Sequence, residues 1–260
     1  GQDSDMNWRH FSYVLYQTTR ASFLAQEKNS SLGLIWHLLN PILMTTVLFL
    51  VFRNIERLRE IENFQLFILI GLIHYNFFLN STTRSSGYFL TSRSLILNTT
   101  VPLELLVLRQ ICIEGLTLII EVLLVLVLGV FMGANLNSAF LIYPLIFAGF
   151  LALSLGASLF LCGLVVFLSD LNYVWGLFCR LLFFITPVFF SPQVVGDGMA
   201  RTVIELNPLT GLLYLAREAL LYGGVVDPVR LMAALVGPIF VLILGVMLFN
   251  AVKPKIPDYI

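Results

Sequence analysis

The sequence predicts an all-α membrane protein with a single transmembrane domain over residues 1–260 and six transmembrane helices. Hydrophobic residues make up 58% of the chain and charged residues 12%, whereas soluble domains contain roughly 25% charged residues. Six apolar stretches are each long enough, at about 20 residues, to cross a bilayer. These stretches lack strict alternation of polar and apolar residues, which argues against a transmembrane β-barrel.

The predicted spans set the topology of the chain. In order they are Gly33–Phe52, Phe64–Thr83, Arg109–Met132, Ala139–Leu168, Tyr173–Phe190 and Val229–Val252. The fourth has 30 residues, too few for two spans and a turn, so we expect one tilted or overlong helix. An even number of spans places both termini on one side. With cytoplasmic termini, nine basic residues lie inside and six outside, which favours that orientation.

Residues 7–28 precede the first span and predict an amphipathic helix lying on the membrane. At about 100° per residue, one side contains Trp8, Phe11, Leu15, Thr18, Ser22 and Ala25. Another sector contains Arg9, Arg20 and Glu27. An aromatic, apolar side next to a charged sector is typical of interface helices. Two interpretations stay open: a helix that only orients the first span, and one that also binds a soluble partner.

The segment between the second and third spans, residues 81–102, predicts a cytoplasmic loop. It is rich in Ser and Thr and contains Arg84 and Arg93, with one short helix expected within Ser94–Asn98. One alternative is a plain connector. The other is a docking surface for a cytosolic subunit, because long loops are usually functional or disordered.

The third span contains three charged residues, Arg109, Glu114 and Glu121. A charge near the bilayer centre costs roughly 2.5–3.5 kcal/mol on insertion scales, so these side chains should face away from lipid. The two glutamates are seven residues apart, which places them two turns apart on one helix face. Arg180 in the fifth span is the expected counter-charge. The cluster is either an ion pair that joins helices or a polar wall of a translocation path.

Residues 191–227, between the last two spans, predict two short helices. The first, Met199–Leu206, ends where Asn207 precedes a proline, and that proline can open the second, Pro208–Tyr222. Each helix is too short to cross a bilayer, and their leucines are too numerous for a solvated loop. We therefore expect a re-entrant hairpin, with a loop lying on the surface as the alternative.

The sequence lacks the motif with which a chain binds and hydrolyses ATP. None of its three lysines follows a glycine, so no G-x-x-x-x-G-K-[ST] motif exists. The spacing of Cys112, Cys162 and Cys179 matches no zinc motif. The formal net charge of zero gives no reason to expect a nucleic-acid partner. We therefore expect no enzymatic activity, no cofactor and no metal in this chain.

Four segments carry a resemblance to a known family: SLGLIWHLLNP at Ser31–Pro41, FLSD at Phe167–Asp170, ITPVFFSPQ at Ile185–Gln193 and ELNPLTGLLYLARE at Glu205–Glu218. They resemble the transmembrane subunit of type 2 ABC exporters of polysaccharides and polyol phosphates. The resemblance covers nearly the whole chain. It implies a bacterial inner-membrane permease that works as a homodimer with two nucleotide-binding ABC subunits, which bind ATP and Mg²⁺.

The resemblance also implies roles for three polar segments: an interface helix (7–28), a cytoplasmic coupling loop (81–102) and an outer gate hairpin (191–227). Coupling to the ATPase subunits is thereby assigned to Arg9, Arg20, Arg84, Arg93, Ser94 and Asp170. The outer gate is assigned to Pro187, Pro192, Asn207, Pro208, Arg217 and Glu218.

In such exporters a channel between the two copies is lined partly by aromatic side chains from the first and fifth spans. The matching candidates are Trp36, Phe49, Trp175, Phe178, Phe183 and Phe184. Arg180 departs from the family, in which a neutral residue is commoner at this point. Its charge either suits an anionic substrate or pairs with Glu114 or Glu121.

The sequence therefore predicts the permease subunit of an ATP-driven exporter of lipid-linked, O-antigen-like polysaccharide. Sugar rings offer apolar faces to aromatic side chains and hydroxyls to polar partners. Alternatives with the same fold are export of teichoic acid, capsule, or a small lipid or drug. A remote alternative is an ion-coupled secondary transporter with Glu114 and Glu121 as a proton relay, although no internal repeat supports it.

Overall fold

The computed structural model consists of helices joined by short turns, and the part of the chain that it describes contains no strand. That part comprises residues 8–28, 35–53, 61–92, 96, 102–134, 138–224 and 227–256. Nine α-helices lie within these ranges. They are α1 (Trp8–Lys28), α2 (Ile35–Phe52), α3 (Phe64–Thr91), α4 (Leu103–Met132), α5 (Tyr143–Val165), α6 (Leu171–Ile185), α7 (Met199–Leu206), α8 (Pro208–Arg217) and α9 (Pro228–Val252).

Four helices are long and apolar enough to cross a membrane, namely α3, α4, α5 and α9 with the short turns that adjoin them. The first and fifth predicted spans correspond to shorter apolar helices, α2 and α6. α6 has 15 residues, so its length is roughly 22 Å, which is less than the hydrocarbon thickness of about 30 Å. By length and composition the structure supports four spans, and the count of six stays a prediction.

The predicted ends of the fourth and fifth spans are wrong. The fifth was expected to reach Phe190, but α6 ends at Ile185. Thr186 has an extended backbone, with φ −81° and ψ 131°, because the proline that follows it disfavours a helical conformation. The fourth starts at Ala139 as predicted and is a single long span of 27 residues, in which a 3₁₀ turn leads into α5, but it ends at Val165 and not at Leu168.

The predicted loop after the second span is also wrong over its first part, because α3 continues from Ser81 to Thr91. The hydroxyls of this part bond to the helix's own backbone: Thr82 Oγ1 donates to the carbonyl of Phe78 at 2.9 Å. Such bonds satisfy Ser and Thr inside a packed helix, so a polar composition does not require a loop here. The rest of the predicted loop lies largely outside the described residues, as do the predicted coupling residues Arg93 and Ser94.

α3 lies at the centre of the bundle, in contact with α2, α4, α5, α6 and α8. Its first four turns are apolar on nearly every side, and Ile68, Ile70 and Ile73 are fully buried. A helix with this pattern needs neighbours on all sides. α3 is therefore the element against which the shorter helices are positioned.

α5 and α9 cross with their backbones in contact. A Cβ atom added to Gly156 would lie 2.5 Å from Leu242 Cα, and one added to Gly245 would lie 2.1 Å from the carbonyl oxygen of Gly156. Small residues at a crossing allow this close approach between membrane helices. The crossing joins the last helix to the core.

α1 packs against α4. The side predicted to be apolar, with Phe11, Leu15 and Ser22, is half-buried. Arg109 on α4 donates from Nε to Ser22 Oγ at 3.1 Å, and its guanidinium lies 4.4 Å from the centre of the Tyr88 ring. Arg109 therefore ties the N-terminal helix to the bundle.

α7 has the bounds that the sequence predicts for the first short helix. The second begins at Pro208 and ends at Tyr222 as predicted, but only α8, up to Arg217, is α-helical, and the last turn, Glu218–Tyr222, is π-helical. Asn207 separates the two helices and caps α8, since its side chain accepts from the amide of Leu209 at 3.1 Å. Gly223 ends the π turn in the left-handed conformation, with φ 64°, which favours glycine. Their re-entrant insertion into the membrane stays a prediction.

Candidate functional site

α6 presents one exposed face that begins and ends with an aromatic ring. Tyr173, Leu177, Arg180 and Phe184 recur every three or four residues and therefore share one side of the helix. All four are exposed, Tyr173 by 80% and Phe184 by 67%. Among the described residues no ion pair involves Arg180. We call these four residues the α6 stripe.

The opposite face of α6 is fixed to α3. Trp175 Nε1 donates to Thr82 Oγ1 at 2.9 Å, and the hydroxyl of Tyr75 donates to the carbonyl of Cys179. Cys179 itself is fully buried. These bonds set the rotation of α6 and direct the stripe away from the bundle.

The predicted channel aromatics fall into two groups. Trp36, Phe178 and Phe184 are exposed. Phe49, Trp175 and Phe183 are half-buried and pack against the core. The first group therefore presents the larger aromatic surface to a neighbour or a substrate, whereas the second mainly supports α2 and α6.

The prediction that Arg180 is the counter-charge of Glu114 is wrong, because Glu114 pairs with Arg84 instead. Arg84 Nη1 donates to Glu114 Oε1 at 3.1 Å, and Gln110 Nε2 donates to the same oxygen at 3.0 Å. Arg84 reaches Glu114 because the expected loop is helical there. Arg180 instead lies on the exposed stripe.

Both glutamates line one cavity of about 300 Å³ between α2, α3 and α4, which confirms that they share a face. We call it the polar cavity. Its wall also includes Trp36, Asn40, Asn76, Phe77, Asn80, Arg84 and Thr117. Sequence reasoning missed the asparagines, although two of them and Arg84 recur every fourth residue along α3. Across the described part of the chain no group of His, Cys, Asp and Glu is arranged to hold a metal ion.

Arg217 binds α8 to the segment that follows α6. Its side chain is buried, and Nη2 donates to the carbonyls of Pro187 and Val188, both at 2.8 Å. The guanidinium stacks 3.5 Å from the centre of the Phe67 ring on α3. Burial lowers the pKa of Arg217 to about 9, so the group remains cationic at neutral pH. One side chain therefore connects three parts of the fold.

The other predicted gate residues lie on the segment that follows α6 and on the short helices. Asn207 Nδ2 donates to Thr186 Oγ1 at 2.9 Å, which gives a second connection between the end of α6 and the short helices. Pro208 opens α8. Four of the six predicted gate residues line a single cavity of about 630 Å³, namely Pro187, Pro192, Arg217 and Glu218. The structure thus brings these residues together, while their role as a gate stays a prediction.

A comparison with known families decides the class of the protein. The sequence pattern of the ABC-2 type transporter matches residues 13–221, from α1 through α8 and into the π turn. The chain belongs to the ABC-2 type transporter family. It is accordingly a membrane permease domain, which is a transport subunit.

Relatives of this ABC-2 permease have a more specific description. It is 24% identical over 246 residues to an O-antigen export system permease protein RfbA from Klebsiella pneumoniae, which covers 94% of each chain. A second protein of that name from the same species is 25% identical over 94% of each chain. The protein of that name from Myxococcus xanthus is 26% identical over 77% of each chain.

The described residues with predicted coupling roles in this ABC-2 permease lie on separate elements. Arg20 is exposed on α1, and Asp170 is exposed immediately before α6. Arg9 lies in the first turn of α1. Arg84 differs from them because it is engaged with Glu114. Coupling to an ATPase subunit stays a prediction for all of these residues.

Proposed function

We propose that this chain is the permease subunit of an ATP-driven exporter that moves a lipid-linked, O-antigen-like polysaccharide across the inner membrane. Membership of the ABC-2 family and the similarity to O-antigen export permeases over most of both chains support this function. The transport path lies between two copies of the chain. Both termini are cytoplasmic.

The observation that carries the proposal is the α6 stripe. A cation that faced hydrocarbon would cost roughly 2.5–3.5 kcal/mol, and Arg180 is exposed without an ion pair among the described residues. A water-filled path shared with a second copy removes that cost. Tyr173 and Phe184 at the two ends of the stripe supply rings on which sugar faces can stack.

The substrate combines hydroxyls with an anionic group. Aromatic rings and Arg180 in one row suit a glycan that carries a phosphate linkage, because guanidinium groups bind phosphate oxygens in pairs. The exposure of Arg180 also favours the second candidate, export of a teichoic-acid-like polyol phosphate. A proton relay fits less well, because Glu114 is held by both Arg84 and Gln110.

Energy comes from two nucleotide-binding subunits that hold ATP and Mg²⁺, since the chain contains no phosphate-binding loop. These subunits dock where the exposed cytoplasmic groups lie, at Arg20 on α1 and at Asp170 before α6. Asp170 directly precedes the helix that carries the stripe. Closure of the ATPase subunits is thereby transmitted to α6 and opens the path.

The test is transport by the purified complex in proteoliposomes that contain lipid-linked glycan extracted from the host. We expect ATP-dependent translocation of the glycan that does not require a proton gradient. Arg180→Gln should lower the rate by about tenfold, which is the effect of about 1.4 kcal/mol. The matched control is Arg53→Gln, an exposed arginine immediately after α2 that lies outside the α6 stripe and lines none of the cavities around the short helices and the glutamates, and it should transport normally. Absence of translocation for every glycan tested would refute the proposed function.

A further inference from the structure

The polar cavity between α2, α3 and α4 is lined by side chains that accept hydrogen bonds. Amide, hydroxyl and carboxylate groups of three helices meet there: Asn40 from α2, Asn76 and Asn80 from α3, and Thr117 and Glu121 from α4. Within each helix such residues recur every three or four positions, so one face of each helix supplies them. The cavity is therefore a shared polar wall of three helices.

The carboxylate of Glu121 has no partner in the part of the chain that the structure describes. Glu121 is 7% exposed, and no hydrogen bond or ion pair joins its side chain to a described residue. Both of its oxygens nevertheless retain accessible surface, and the residue lines the polar cavity. Glu121 is thus more than nine-tenths buried, with its oxygens open to the cavity.

The cavity lacks one positive charge. A buried carboxyl group is stable only as the neutral acid or next to a cation. Arg84 is the one cation that the described residues contribute to the wall, and it already pairs with Glu114 at 3.1 Å. The formal charges of Arg84, Glu114 and Glu121 therefore leave the cavity with one uncompensated negative charge. A cationic ligand would compensate it.

The neighbouring polar groups are also available to a ligand. The amides of Asn76 and Asn80 make no hydrogen bond with a described residue. Thr117 Oγ1 donates to the carbonyl of Ile113 at 3.2 Å, so its oxygen is left as an acceptor. Since an amide both donates and accepts, this wall can bind hydroxyl groups as well as N–H groups.

Trp36 and the size of the cavity favour an organic cation over a metal ion. Trp36 lines the cavity and is 51% exposed, and tryptophan is the aromatic side chain that attracts an ammonium group best. The volume of about 300 Å³ lies at the lower end of the range for small-molecule pockets. It is about ten times the volume of one water molecule in the liquid, so a bare metal ion would leave most of it empty.

We propose that the polar cavity binds the protonated primary amine of a small hydroxylated molecule. The ammonium group lies at Glu121, where its N–H groups donate to the carboxylate, and the hydroxyls lie at Asn76 and Asn80. This inference goes beyond the proposed function, which assigns no ligand to this cavity. The amine has two possible sources, an amino sugar unit of the exported glycan and a free amine of the cytosol, and both present the same ammonium chemistry.

Binding of radiolabelled glucosamine to the full chain in lipid nanodiscs tests the site. We expect saturable binding that unlabelled glucosamine displaces. Glucose and N-acetylglucosamine should not displace it, because they lack the charged amine. Choline, which has no N–H group, and sodium at equal ionic strength should also fail to displace it.

Two substitutions separate the carboxylate from the ring. Glu121→Gln keeps the shape of the side chain but removes its charge, and it should weaken binding by about tenfold or more, because charge-assisted hydrogen bonds are the strong ones. Trp36→Leu should weaken binding by about threefold, whereas Trp36→Tyr keeps an aromatic ring and should bind within about twofold of the original chain. Trp36 is half exposed, so its variants test the site even if Glu121→Gln does not fold.

The matched control is Glu104→Gln. It makes the same change on the same helix but outside the cavity, where the carboxylate pairs with Lys253 at 2.6 Å, and it should bind glucosamine normally. No binding by the original chain, or equal binding by Glu121→Gln and Glu104→Gln, would overturn the site. Displacement by sodium as effective as that by glucosamine would overturn it too, because the cavity would then hold an inorganic cation.

Two competitors distinguish the sources of the amine. If the exported glycan carries it, lipid-free glycan from the host should displace glucosamine, and the same glycan after N-acetylation of its amines should not. If the ligand is a free amine, ethanolamine should displace glucosamine and the glycan should not. Either result supports the ammonium site and identifies where its ligand comes from.

Discussion

Substitution of Arg84 should destabilise the permease more than substitution of its partner Glu114. Arg84 Nη1 lies 3.1 Å from Glu114 Oε1, and the side chains are 46% and 4% exposed respectively. Arg84→Met leaves a buried carboxylate with Gln110 as its remaining donor. Glu114→Gln instead leaves a cation that can reach water. The two changes break the same contact with unequal consequences.

The exposed fractions of the Arg84 and Glu114 side chains set the expected losses in the free energy of unfolding. Removing one member of a fully buried pair costs about 3–5 kcal/mol, whereas exposed pairs contribute about 0–1 kcal/mol. Since Arg84 is about half exposed, we expect Arg84→Met to cost about 2 kcal/mol and Glu114→Gln less than about 1 kcal/mol. The double variant should be about as stable as Glu114→Gln alone, because no charge is then buried without a partner.

Thermal unfolding of the purified permease in detergent measures these differences. A loss of about 2 kcal/mol corresponds to a Tm lower by about 5 °C for a chain of this size. Arg180→Met is the matched control and should leave Tm within about 1 °C, because Arg180 makes no ion pair with a described residue. The reasoning is refuted if Arg84→Met and Arg180→Met have equal effects, or if the double variant is as unstable as Arg84→Met.

Two further predictions concern helix contacts. Gly156→Ala places a Cβ 2.5 Å from Leu242 Cα and should cost about 1–3 kcal/mol by overpacking, seen as a lower Tm. In Gly115→Ala the added Cβ lies 3.6 Å or more from its neighbours, so this change should not lower Tm. If the two alanine variants lowered Tm equally, the close crossing of α5 and α9 would be contradicted. Leu177→Cys on the exposed α6 stripe should form a disulfide-linked dimer when membranes are oxidised, whereas Met247→Cys, equally exposed on α9, should remain monomeric. The reverse pattern would place the second copy against α9 instead.

The short helices could be predicted from sequence because their signals are local. A proline opens α8, Asn207 caps it, and Gly223 takes the left-handed conformation that ends the π turn. Each signal acts within a few residues, so no knowledge of the rest of the fold is needed. The convergence of Arg217 on the carbonyls after α6 had no such signal, because it joins segments about thirty residues apart.

The errors occurred where tertiary packing decides the structure. The Ser- and Thr-rich stretch before Thr91 resembles a loop in composition, yet its hydroxyls are satisfied within α3. With Arg84 placed in that loop, the sequence leaves Arg180 on α6 as the expected counter-charge of Glu114. Continuation of α3 brings Arg84 to α4 and leaves Arg180 exposed, so one error in a helix boundary produced the error in the site.

The polar groups of the permease fall into two sets: those that are hydrogen-bonded within the bundle and those that are not. Glu114, Arg109 and Arg217 are hydrogen-bonded within the bundle, so changes there should lower stability before they alter transport. Arg180 makes no ion pair with a described residue, so a change there should spare stability. A transport defect in Arg180→Gln without a loss of stability would therefore locate the substrate on the α6 stripe.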